Sequence, residues 1–80
     1  MIYHVKVTRV ARSTQWEVYD RDKRELLAWG DERHQLAPNL FLTIAGAKEL
    51  ALRAVPSGSE YIVTIDTPKG VKFSGPFVKI

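Results

Sequence analysis

The sequence predicts an α+β domain with the order β-β-β-α-β-β, one helix packed on a mostly antiparallel sheet. Three observations carry this. Residues 2–30 alternate polar and apolar side chains between polar turns. Residues 40–55 repeat apolar side chains every three or four positions. Residues 60–80 return to β-branched and aromatic runs broken by Gly and Pro.

In the first strand, residues 2–10, Tyr3, Val5 and Val7 alternate with His4, Lys6 and Thr8. "ARSTQ" reads as a polar turn. "WEVY" resumes the alternation, with Trp16 and Val18 on one face and Glu17 and Tyr19 on the other. "DRDKR" suits a hairpin tip, and "ELLAW" a third strand ended by Gly30. "DERHQLAPN" is a connection whose Pro38 fits the first turn of a helix. The helix is expected from about Leu40 to Val55, with Leu40, Ile44, Ala47, Ala51 and Ala54 on its buried face. Its small residues allow close approach to a sheet, which accounts for Gly46 in mid-helix. Pro56, Ser57 and Gly58 stop it.

"EYIVTID" alternates little and is expected to be covered on both faces. A right-handed crossover would lay it parallel to the first strand. "TPKG" has turn chemistry, and Asp66 is placed to accept backbone N–H groups at its start. "VKFS" and "FVKI" read as two short strands around Ser74-Gly75-Pro76. No repeat or linker divides the chain, so residues 1–80 are expected to form a single domain.

Composition narrows the function classes. The chain is 45% hydrophobic and 26% charged, which is globular rather than disordered. With no cysteine there is no disulfide, thiolate zinc site or cysteine nucleophile, and a reducing cytoplasm is the expected location. "MIYHVKVTRV" has no apolar core of a signal peptide, and no stretch approaches the ~20 apolar residues of a membrane span. The net charge is +3. Bases are unopposed in residues 1–16, as Lys6, Arg9 and Arg12, and outnumber acids again at the C-terminus through Lys69, Lys72 and Lys79. A basic face assembled from these two ends would contact phosphates.

The helix "NLFLTIAGAKELALRAV" followed by "YIVTIDTP" resembles the first half of the ribonuclease H-like fold, over roughly residues 2–68. The resemblance extends to small antitoxin domains with a partial ribonuclease H fold. It implies a meander, an alanine-rich helix and a parallel strand ending in an acid. Asp66 occupies that acid's place. The family's acid in the first strand is missing, with Arg9 near its position. The helix acid falls on Asn39, Leu42 or Thr43. One carboxylate does not hold a magnesium pair, so the resemblance implies a catalytically degenerate relative rather than a nuclease.

Other constellations are weak. His4 and His34 have no partner of metal-ligand spacing, and no cofactor is expected. The serines lie in turn-like contexts without a nucleophile elbow, and the scattered glycines form no phosphate loop. Trp16 and Trp29 are expected in the core under the helix, whereas Tyr19 is a candidate for stacking on a nucleobase. The expectation is a non-enzymatic nucleic-acid-binding module using Lys6, Arg9, Arg12, Lys69 and Lys72. The alternative is a protein-interaction regulator, inhibitor or antitoxin-like, acting through a sheet edge or as a homodimer.

Overall fold

The computed structural model describes residues 2–10, 13–20, 25–32 and 44–80, with side chains for all but residues 10, 13, 31 and 32. Among the described residues five strands and one helix follow the expected order: β1 (Ile2–Val10), β2 (Ser13–Asp20), β3 (Glu25–Glu32), α1 (Ile44–Leu52), β4 (Glu60–Thr67) and β5 (Gly70–Val78). The sheet is mixed, in the order β3-β2-β1-β4-β5. β1 and β4 are parallel, and the other three pairings are antiparallel. The "DRDKR" tip and the Pro38 connection lie outside the described residues.

Alternation along β1 divides the sheet into two faces. Val5 and Val7 are fully buried against α1, and their cross-strand partners carry that face outward: Val18 and Trp16 on β2, Val63 and Ile65 on β4. From α1, Ala47 and Ala51 come down on these side chains, and Val55 closes the core beyond the helix end. Their spacing of four places all three over one stripe. The fully enclosed hydrophobic residues are valines and alanines, so the helix rides close to the sheet. Each buried valine stabilises by roughly 1.5 kcal/mol or more. Glu49 and Arg53 face solvent, as the periodicity requires. α1 packs on β1, β2 and β3, and leaves β5 bare: all nine of its residues are exposed.

The end of α1 is held from the opposite end of the chain. After Leu52 the backbone tightens into bonds three residues back, from Arg53 to Leu50 and from Val55 to Leu52. The ammonium of Lys79 donates to the carbonyls of Leu52 and Val55, where a cation also meets the negative end of the helix dipole. Gly58 N–H donates to Lys79 O at 2.7 Å, and Lys79 N–H donates to Ser59 O at 2.8 Å. The C-terminal apolar segment therefore docks on the protein's own sheet.

Four expectations change. Gly30 does not end β3, which runs on to Glu32. Gly30 is instead the floor on which the Trp16 indole lies. A Cβ there would come within 2.8 Å of Cζ2, and closer still to Nε1 and Cε2. "VKFS" and "FVKI" are one strand, because Gly75 takes φ +112° and a register shift opposite Tyr61–Val63 absorbs the irregularity. β4 is less covered than expected: only Val63 and Thr64, one on each face, are buried in it, and the rest of the strand is partly or fully exposed. Trp29 is not core. It stands 67% exposed on the face away from α1, because its partner Glu17 belongs to that face.

Gly30→Ala is expected to destabilise the fold by about 1–3 kcal/mol, since the indole cannot yield without leaving the core. Thermal unfolding of the variant beside Trp16→Phe/Gly30→Ala checks this. The smaller ring should recover part of the loss.

Candidate nucleic-acid interface

The strand directions gather one end of the sheet. β1 and β4 run in parallel, so Arg9 near the end of β1 and Thr67 at the end of β4 arrive together. The described start of α1, Ile44, comes to the same end. The groove there consists of two adjoining hollows that share Ile44, Thr67 and Lys69: one is lined besides by Arg9 and Pro68, and the other by Ile65, Gly70, Val71 and Lys72. The stretch toward Lys72 has a volume of about 390 Å³. Arg9 shares the α1 side with Val5 and Val7, and Lys72 shares it through its partner Ile65. No carboxylate is among the described residues lining the groove.

The β4–β5 turn that carries Lys69 is built by Thr67. The amide of Lys69 donates to Thr67 Oγ1 at 3.2 Å, and that hydroxyl donates to Gly70 O at 3.3 Å. Gly70 closes the turn at φ +134°. The role expected of the Asp66 carboxylate thus falls to its neighbour. Alternation puts Asp66 on the face away from α1, between Thr8 and Val71. Among the described residues no group of three or more His, Cys, Asp or Glu side chains is placed to hold a metal ion.

Lys6 lies on the other side of the sheet from Arg9. Its neighbours across the strands are Glu17 on β2 and Thr64 on β4. Their partners are Trp29 on β3 and Phe73 on β5. One row therefore crosses the whole open face: Trp29, Glu17, Lys6, Thr64, Phe73. Beside it His4 and Tyr19 make an edge-on ring contact at 6.4 Å, and His4 Nε2 shares a 2.9 Å hydrogen bond with Thr64 Oγ1. The Tyr19 hydroxyl donates to the Glu17 carboxylate, which raises the Tyr19 pKa above its ordinary value; burial and the Glu17 charge add to the rise. A hollow of about 240 Å³ opens beside Trp29, between Gln15, Glu17 and Leu26.

Of the five expected phosphate contacts, Arg9, Lys69 and Lys72 come together, Lys6 is on the opposite face, and Arg12 lies outside the described residues. Tyr19 is on the open face. Sequence reasoning missed Trp29 and Phe73 as surface aromatics. The signal for Trp29 was available: an antiparallel partner in register with Glu17 must share the face of Glu17, not that of Trp16. The described helix is not long and apolar enough to cross a membrane. The chain matches no protein-family model, no curated protein and no solved structure.

Two outcomes follow. Thr67→Val should lower stability by about 1 kcal/mol through loss of its two turn bonds, and Asp66→Asn by much less. Chemical denaturation of the two variants checks the order. For Tyr19, a raised folded pKa means that the phenol's contribution is complete below the unfolded value of about 10 and is lost as pH climbs through the folded one. Ultraviolet titration of tyrosine ionisation should show a component that Glu17→Gln moves to lower pH.

Proposed function

We propose that this chain is a non-enzymatic binding protein that holds nucleic acid through phosphate contacts, with little base specificity. The observation that carries the reading is the groove where Arg9, Lys69 and Lys72 converge with no carboxylate among the described lining residues. Arg9, Lys69 and Lys72, lining two adjoining hollows, bring a guanidinium and two ammonium groups that suit a run of phosphates. Each phosphate neutralised releases condensed counterions, which supplies affinity without reading sequence. A chain net charge of +3 and a pI of 9.5 favour the encounter. A cytoplasmic setting belongs to the same proposal.

The ribonuclease H-like half-fold also belongs to it. Its support is the β1–β2–β3 meander, the helix that follows it, and the parallel β1–β4 pair. In that reading Asp66 is the residue of a lost metal site.

A second reading rests on β5. Among the described residues no strand pairs with its outer side, and Val71, Phe73, Phe77 and Val78 are all exposed along it. Strand addition by a partner or a second copy would cover them. The irregularity at Gly75-Pro76 limits such pairing to one part of the edge.

Electrophoretic mobility shift at low salt, with duplex and single-stranded probes, tests the main reading. Arg9→Glu should abolish binding, and Lys69→Ala with Lys72→Ala should weaken it on all probes alike. The slope of log affinity against log salt should fall by about 0.7–0.9 for each phosphate contact removed. Absence of a shift by the unmodified protein at tens of micromolar (roughly the weak end of non-specific binding) would exclude the reading.

A further inference from the structure

We infer that the nucleic acid is single-stranded, and that it passes from the cationic groove over the β5 edge onto the open face of the sheet, where bases stack on Phe73 and Trp29. This rests on the phosphate-binding reading above and adds to it the class of strand and a second surface.

The positions of the cations point to it. Arg9 and Lys72 are on the α1 side of the sheet, and Lys6 is on the other. Both surfaces meet at β5, where Lys72 and Phe73 are consecutive and therefore project to opposite faces. The described helix does not cover this strand, and all nine of its residues are exposed among the described residues. A duplex, with a persistence length of about 50 nm, does not fold around the edge of one sheet. A single strand does.

The open face then offers what an unpaired strand uses. Phe73 is 71% exposed and Trp29 67% exposed, the highest values for aromatic side chains among the described residues. They stand at the two ends of the row Trp29, Glu17, Lys6, Thr64, Phe73. At ~4.8 Å per strand, Lys6 lies about 10 Å from each aromatic position, midway between two stacked bases. A hollow of about 240 Å³ adjoins Trp29. Among the described residues three carboxylates share the face, and the farthest from Lys6 is Glu60, two rows away beside Ile2. Glu17 lies directly opposite Lys6 and accepts the Tyr19 hydroxyl, and Asp66 is one row away, beside Thr8. Stacking on aromatic faces tolerates any base, in keeping with contacts that do not read sequence.

The test uses the whole protein, with oligothymidylate and a blunt duplex as probes, followed by tryptophan emission and by anisotropy of labelled probe. The unmodified protein should bind oligothymidylate more tightly than duplex, with quenching of tryptophan emission. Trp29→Ala and Phe73→Ala should each weaken oligothymidylate binding by about 5- to 100-fold, with little change for the duplex, which touches the groove alone. Both side chains are largely exposed, and Phe73→Leu, which keeps apolar bulk without a ring, should show a comparable loss. Equal affinity for the two probes, or wild-type affinity in the stacking variants, would overturn the inference while leaving the groove reading intact. Loss of both probes on Arg9→Glu alone, with no effect of the aromatic variants, would have the same meaning. Failure of either probe to bind the unmodified protein would remove the phosphate reading itself. Sedimentation provides the remaining outcome: a dimer that Trp29→Ala converts to monomer would assign the open face to a second copy of the chain and overturn the inference.

Discussion

The parallel pairing of β1 with β4 is the constraint on which the other features rest. A parallel neighbour cannot be reached by a tight turn, so the chain must cross over, and here α1 lies on that path between β3 and β4. Valine at residues 5, 18 and 63, with alanine at 47 and 51, gives the helix a shallow seat on the sheet. Because β1 and β4 point the same way, their ends coincide. Arg9 and Thr67 meet there, and Ile44 at the described start of α1 meets them. The cationic groove is thus a consequence of strand direction rather than of any local motif.

One helix does not cover a five-stranded sheet. α1 shields β1, β2 and β3, and the face beneath them is left to other side chains. On that face Lys6, Glu17 and His4 lie among Trp29, Phe73 and Leu26, a mixture suited to a flat ligand with polar edges. The bare β5 edge joins the two surfaces. Its stability comes from the ladder to β4, from the Tyr61–Phe77 ring contact with centroids 5.5 Å apart, and from the hold of Lys79 on the end of α1. That last interaction also explains why one of the C-terminal bases is unavailable to a ligand. Its charge is committed to the helix carbonyls.

The Trp16–Gly30 contact shows how two strands pack together on the α1 side of the sheet. The indole lies across a residue with no side chain, so two strands share one aromatic surface. The Trp16 Nε1–H is buried without a hydrogen-bond partner among the described residues, a polar cost accepted for close packing. Trp16 and Trp29 are separated by one step of strand register, and their surroundings are opposite.

The sequence alone determined the order and type of the elements as far as β4, because periods of two and of about 3.6 are local properties of the chain. It also determined the face of α1 that is buried and the parallel placement of β4. The tertiary structure decided what each exposed side chain faces. Lys6 and Arg9 read as one basic strand in sequence, yet three positions along a strand reverse the face. Trp29 reads as core by composition, yet its register with Glu17 turns it outward. The Gly75-Pro76 break reads as the end of a strand, yet pairing with β4 carries the chain through it. Register and coverage depend on contacts between residues far apart in the chain, and only the assembled sheet fixes which of them share a surface.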